Sequence, residues 1–311
     1  MINKYVNSLL MNQSVRKLFQ YAEACKYLDR RVWSHESGNQ RIYEMVVSSD
    51  PHAIGKLGSV ELGALRKYLD TRDLGGAVEL TEIHRQVLFT NAGVFPNTYE
   101  TLERYAHLII KEVLPEISGM VVWFNIGEAN IVKSYCSNYT LIRLGSLSSY
   151  LWSFPWTKSL AGKKVLVVHP FVETIRQQYS KRSHLWPNNP EILPDFDLDT
   201  LHVPMSPALV PPKHKDWFKS LDILKDVMSS KNFDVALIGA GAYSLPLVVH
   251  AKKLGRKGIH TGGETQFFFG IKGGRWDKNP FYSKYYNEHW IRTLPEESPP
   301  NNIIVEDGCY W

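Results

Sequence analysis

Two textures of hydrophobic patterning divide this chain. Over residues 1–50 the apolar positions Leu9, Leu10, Val15, Leu18, Phe19, Ala22 and Tyr27 recur at roughly helical spacing among lysines and arginines. That period predicts a helical N-terminal extension. A basic amphipathic helix can lie on a membrane surface or cover the domain's own core, and the pattern favours the second use. From residue 53 the texture changes. Apolar runs over 53–57, 120–124, 164–169, 200–203 and 233–238, with another starting at Gly258, read as strands. Helical patterns over 60–69, 99–114, 171–181, 214–230 and 243–254 fall between them, the second closed by Pro115. Strands alternating with helices of this length predict an α/β, Rossmann-like fold with a mostly parallel sheet and helices on both faces. Residues 51–311 are expected to form one such domain. Its last stretch, 270–311, has little period but carries Trp276, Phe281, Tyr282, Tyr285, Tyr286, Trp290, Tyr310 and Trp311. Rings at that density need burial, so this stretch should wrap the domain, where it can roof a pocket.

Composition narrows the picture. The 311 residues, 44% hydrophobic, suffice for one sizeable core. The formal charge of +5 is spread without blocks of like sign, and no aromatic-basic nucleic-acid module is present, so direct nucleic-acid recognition is not expected. Cys25, Cys136 and Cys309 are odd in number and far apart, which fits neither a disulfide framework nor a CxxC zinc site. No run approaches the ~18 apolar residues of a membrane span, and residues 1–17 lack a secretory apolar core. The expectation is a cytoplasmic protein, able to work at the inner face of a membrane.

Four segments can carry chemistry. The strongest is Asp234-Val-Ala-Leu-Ile-Gly239-Ala-Gly241-Ala242-Tyr243-Ser-Leu-Pro246. A buried strand, a glycine turn and a helix start bring free N–H groups and a positive dipole end to one point, which suits an anion. The turn lacks the third glycine of GxGxxG and has no Gly-Lys-Ser/Thr, so it is neither a full dinucleotide fingerprint nor a P-loop. An ordinary tight turn would also use these glycines. The second segment is Lys56-Leu-Gly58-Ser59-Val-Glu61, in which Gly58 permits a sharp turn, Ser59 can cap a helix and Glu61 sits in its first turn. Glu61 can simply complement the dipole, or it can face a ligand at the carboxyl edge of the sheet, where open α/β folds bind.

The third segment is His260-Thr-Gly262-Gly263-Glu264. Paired glycines allow close approach of backbone to a ligand, Glu264 is a candidate general base, and His260 reads as a half-buried, satisfied histidine. In the fourth, His169 ends a strand and points at the same edge, with Pro170 opening a helix. Glu173 and Arg176 are spaced as a solvated ion pair, although Arg176 or Arg182 could face a diphosphate. Arg275-Trp276 adds a cation beside a stacking surface for sugar or base.

Lys56-Leu-Gly-Ser-Val-Glu61, together with Gly239-Ala-Gly-Ala242 and Gly262-Gly263-Glu264, resembles the GT-D-type glycosyltransferases. There a strand enters an Arg-x-Gly-Asp-Gly-Glu-like turn, and later a strand, a Gly-Pro-Thr-like turn and a helix lead to an Asp-x-Gly-His-x-Asp-like segment. The likeness runs over roughly 53–270 in order and spacing. Lys56 stands in place of the Arg, Ser59 in place of the first acid, Gly263 in place of the His and Thr265 in place of the last acid. The resemblance implies a UDP-, GDP- or dTDP-linked sugar donor, a divalent metal (Mn or Mg), and a glycan or polysaccharide acceptor. The expected assignment has the 239–243 turn on the diphosphate, Lys56 and an arginine offsetting its charge, and Glu61 or Glu264 handling the acceptor or metal. Alternatives are another nucleotide-cofactor enzyme using NAD or S-adenosylmethionine, or a non-catalytic glycan- or protein-binding module. The NAD version usually needs an acid at the end of the next strand, where this chain has Gly258-Ile-His260.

Overall fold

Strand β5 (Lys164–His169) shows how this sequence makes its sheet. Successive side chains of a strand point to opposite faces. Val165 and Val167 enter one core, with Ile42, Met45, Trp156, Leu237 and Phe267. Leu166 and Val168 enter the other, with Leu62, Tyr105, Trp217, Ile238 and Leu247. A strand buried on both faces must be apolar throughout rather than alternating, and β5 was legible for that reason.

In a computed structural model, residues 13–73, 75–205 and 209–311 are described, with the side chains of 13 and 14 excepted. They hold one all-parallel sheet of eight strands, ordered β1-β4-β3-β2-β8-β7-β5-β6. The strands are β1 (Val32–Trp33), β2 (His52–Gly55), β3 (Gly119–Val122), β4 (Thr140–Arg143), β5, β6 (Asp197–His202), β7 (Val235–Ile238) and β8 (Lys257–His260). The Rossmann-like α/β expectation therefore holds. Strands β1 and β4 were not predicted: β1 has two residues, and β4 offers only Leu141 and Ile142 as buried apolar positions between Thr140 and Arg143.

From β2 the chain steps outward to β3 and β4. From β5 it steps outward to β6, then returns to insert β7 and β8 between β5 and β2. The chains leaving β5 and β7, neighbouring strands, therefore depart in opposite directions and open a crevice at the carboxyl edge.

The helices used below are α1 (Gln13–Cys25), α2 (His35–Val47), α3 (Ser59–Asp73), α4 (Glu82–Ala92), α5 (Tyr99–Leu108), α6 (Glu128–Tyr135), α7 (Val172–Tyr179), α8 (Trp217–Ser229), α9 (Ser244–Lys253) and α10 (Gly263–Phe268). Helices α4 and α6 were not anticipated. The helix expected over 99–114 is α5 followed by a widened turn, Ile109–Val113, and a tight one, Leu114–Glu116, which holds Pro115. The first fifty residues are not purely helical. β1 pairs with β4 at the sheet edge, and α2 buries Ile42, Met45 and Val46 against the sheet. Tyr27 is buried, but Leu18 and Phe19 on α1 are exposed, so that helix does not lay its expected stripe on the core. Leu9 and Leu10 lie outside the described residues, as does part of the proline-rich loop, residues 206–208. Among the described residues no helix is long and apolar enough to cross a membrane.

Residues 270–311 wrap the domain as expected. Gln178 on α7 donates to Gly270 O and His289 O, a bridge joins Ile271 to Ile291, and Trp276 and Trp290 pack on Phe267. Trp290 and Trp276 are buried, whereas Phe281 remains exposed.

Candidate functional site

Strand register builds the site. Val168 pairs with Ile238, Ile238 with His260, and Ile259 with Ile54. Stepping past the strand ends along that alignment places His169, Gly239, Thr261 and Lys56 in one row across the carboxyl edge. Above this row lies a cavity of about 240 Å3. Its lining contains Lys56, Gly58, Ser59, Glu61, His169, Gly239, Gly241, Tyr243, Gly262, Gly263 and Arg275 from the residues singled out in the sequence. Ala242, Glu264 and Trp276 are not in the lining. Ala242 is buried in the core, and Trp276 packs edge-on against Phe267.

The glycines are there because nothing larger fits. A Cβ on Gly239 would stand 2.7 Å from the Gly262 carbonyl oxygen and 2.8 Å from the His169 ring. Gly262 has φ +59, and a Cβ there would stand 2.9 Å from Lys56 Nζ. Gly241 also has positive φ and starts the tight turn Gly241–Tyr243 that leads into α9. Gly239, Ala240, Gly241 and Tyr243 line the cavity at the start of that helical stretch, the end of a helix at which an anion is favoured. Tyr243 stacks on Trp217, centroids 4.9 Å apart, which fixes the wall on that side.

Lys56 is the electrostatic centre. It is 7% exposed, and its ammonium donates to Thr261 O at 3.0 Å. Among the described residues no carboxylate stands within 4 Å of it. Burial pushes its pKa down to about 8, with Glu264 and then Glu61 opposing and Arg275 adding to the fall. A buried cation bonded to one carbonyl, with Glu264 and Glu61 acting on it only from beyond ion-pair distance, presents positive charge to the cavity.

His169 supplies a second donor. Its Nδ1 accepts the Phe171 backbone N–H at 3.0 Å, so the ring proton sits on Nε2. Burial, and then His202, push its pKa down to about 3, leaving a neutral imidazole. The helix that follows is not a free anion site. Glu297, from the C-terminal wrap, accepts the N–H groups of Glu173 at 2.8 Å and Thr174 at 3.0 Å, and the Thr174 hydroxyl at 2.5 Å. Arg176 is paired with Glu173 and Arg182 with Asp195, and neither lines the cavity.

The two glutamates part company. Glu61, 8% exposed, folds its carboxylate back over Gly58, where any Cβ would collide with it. Burial raises its pKa, its own backbone N–H opposes this, and Glu306 raises it further. Ser59, expected as a cap, is the first residue of α3. Glu264 turns the other way: Oε1 accepts from Ser148 Oγ at 2.9 Å and Tyr150 OH at 3.5 Å, and Oε2 is buried without a partner among the described residues. Burial raises the Glu264 pKa, opposed first by Lys56. Both carboxyls thus flank Lys56, but only Glu61 opens on the cavity. His260 lines the wall, more fully buried than expected and not satisfied, since its Nδ1 has no partner among the described residues, and it is neutral because burial lowers its pKa far below the usual value.

The roof was legible only as aromatic excess. Arg275 pairs with Glu306 at 3.0 Å, touches Cys309 Sγ at 2.8 Å and stands 4.0 Å from the Tyr310 ring centre. Trp311 packs on Phe171 and donates Nε1 to Glu297 O. Sequence reasoning missed Trp123, which ends the 120–124 run and whose ring centre lies 5.6 Å from Lys56 Nζ, and also Glu306. Position past a buried strand was the available signal for Trp123, whereas nothing local marks Glu306.

A divalent cation needs several oxygen ligands. The carboxylates in the lining are Glu61 and Glu306, and the second is engaged by Arg275. Among the described residues no three His, Cys, Asp or Glu side chains form a metal-binding group. The described residues therefore do not build a metal cage at this cavity. Comparisons with protein-family models, curated proteins and solved structures return no match to this chain.

Proposed function

We propose that the cavity binds a nucleoside-diphosphate sugar and that the protein transfers the sugar to a glycan or polysaccharide acceptor. The observation that carries this reading is Lys56, a buried ammonium without a carboxylate partner, opposite the start of the helical stretch Gly241–Lys253. A ligand bearing a diphosphate would supply the missing negative charge at that point. The likeness of the 56–61, 239–242 and 262–264 segments to GT-D-type glycosyltransferases supports the same reading.

In the transfer, an acceptor hydroxyl attacks the anomeric carbon while the bond from that carbon to the diphosphate oxygen breaks. Lys56 offsets the charge gathering on the leaving diphosphate, the His169 Nε2–H donates to one of its oxygens, and the positive end of the helical stretch at Gly241 favours its charge. Glu61 takes the acceptor proton, since burial raises its pKa above that of a free carboxylate and so makes it the stronger base. Trp123, Tyr310 and Trp311 offer ring faces to base or sugar. Glu264 holds Lys56 electrostatically from behind.

Thermal unfolding with UDP, GDP, NAD and S-adenosylmethionine separates the ligand classes, because a bound ligand stabilises the native state. A nucleoside diphosphate should raise the midpoint, and donor hydrolysis should then follow with the matching sugar nucleotide, with or without Mn or Mg. Stabilisation by NAD or S-adenosylmethionine alone would overturn the proposal. Equally, Glu61→Gln should cut transfer at least a hundredfold in a folded protein, and wild-type turnover in that variant removes Glu61 from the mechanism.

A further inference from the structure

A second cleft, of about 230 Å3, opens between α1, the start of α3 and the loop after β3. Its lining includes Arg16 and Gln20 from α1, Ser59 and Arg66 from α3, and Phe124 and Asn125 from the loop, with no aspartate or glutamate. Among the described residues neither arginine has a carboxylate within 4 Å. Arg66 Nη1 donates to Ile126 O at 2.7 Å, and its guanidinium lies so close over Gly127 that any Cβ there would collide with it. That packing holds the fork in place.

Two further features mark this wall as built. Phe124 has φ +59, a conformation that side-chain-bearing residues rarely adopt and that clusters at binding sites. Asn125 Nδ2 is buried with no hydrogen-bond partner among the described residues, and native structures rarely leave an amide donor unused. The buried carboxylates of Glu128 and Glu23 lie behind the loop, taken up by the N–H groups of Trp123, Phe124, Gly127 and Ala129, so the cleft lining itself presents guanidiniums and an amide. Such a lining suits an oxyanion, and the planar fork of arginine matches phosphate in particular. Ser59 lines both this cleft and the main cavity, so a group held here sits beside the proposed donor.

We propose that this cleft is the acceptor subsite and that it holds a phosphate carried by the acceptor, leaving the acceptor sugar to reach toward Glu61. The role as acceptor site rests on the reading of the main cavity as donor site. The phosphate can belong to a soluble sugar phosphate or to a lipid-borne one, and α1 exposes Leu18, Phe19 and Tyr21 next to Arg16, a surface fitted to the lipid-borne form.

Calorimetric titration with inorganic pyrophosphate at low salt tests both sites at once. The expected result is two sites per chain, one weakened at least tenfold by Lys56→Met and the other at least tenfold by Arg66→Gln and by Arg16→Gln. Arg16 is exposed, so its variant keeps the fold even if Arg66→Gln disturbs the loop. A single site that only Lys56→Met removes, or arginine variants within twofold of wild type at both sites, overturns the subsite. Loss of only the arginine-dependent site, with Lys56→Met silent, instead overturns the donor reading and with it the acceptor role. Cosedimentation with phosphatidylglycerol against phosphatidylcholine vesicles assigns the source. Retention lost in Arg16→Gln supports a lipid-borne phosphate, and no retention beside an intact pyrophosphate site supports a soluble one.

Discussion

Lys56→Met should make this protein more stable while depriving it of ligand. The folded chain holds the Lys56 ammonium in a place that lowers its pKa from 10.5 to about 8. That fall corresponds to about 3 kcal/mol of penalty on the charged form. Between pH 8 and 10.5 the unfolded chain keeps a proton that the folded chain gives up, so stability rises with pH through that window, and the full penalty applies below pH 8. Methionine fills similar space without charge, but it removes the shorter of two hydrogen bonds to the Thr261 carbonyl, which keeps the Glu264 N–H at 3.3 Å, at a cost of about 1 kcal/mol. The net expectation at pH 7 is a gain of about 2 kcal/mol, or about 3 °C in a chain of this length at an unfolding entropy of ~2.1 cal/mol/K per residue.

Thermal unfolding of both proteins at pH 7 and pH 10.5 measures this. The variant's advantage should vanish at the higher pH and turn into a deficit of about 1 kcal/mol. With UDP at about a hundred times its Kd, wild type should gain about 2.7 kcal/mol while the variant gains little. A variant less stable than wild type at pH 7, with a gap that does not move with pH, would refute the argument that the ammonium is held at the expense of the fold. A variant that still responds to UDP like wild type would refute its role in binding.

Gly239→Ala forces a Cβ against the Gly262 carbonyl and the His169 ring, so denaturant unfolding should show a loss of about 1–3 kcal/mol together with weaker nucleotide binding. His169 should stay neutral down to about pH 4, seen as unchanged imidazole nitrogen shifts by NMR. Because its folded pKa of about 3 lies below the unfolded 6.5, it contributes stability above pH 6.5 that is lost as pH falls toward 3, and His169→Asn should flatten that acid limb. Glu297→Ala removes the acceptor of three hydrogen bonds at the start of α7, and chemical denaturation should report a loss of about 2–3 kcal/mol.

By itself the sequence determined what short-range sterics and burial determine. Val165 to Val168 had to be a strand buried on both sides, and the glycines at 239, 241 and 262 had to mark turns where no Cβ fits. Since parallel strands end at one edge, the meeting of Lys56, Glu61, His169 and the 239–243 turn was legible before any coordinates. Tertiary structure alone decided who partners whom. Lys56 meets Thr261 across 205 residues and Glu264 meets Ser148 across 116, distances over which no local pattern speaks. Thus two glutamates that look alike in sequence divide, Glu61 onto the cavity and Glu264 into a hydroxyl-lined recess behind it. The α7 terminus, which reads like any other anion site, is already filled by Glu297. Charge left unpaired is a property of the assembled neighbourhood, because whether a buried ion finds its counter-ion depends on every element packed around it.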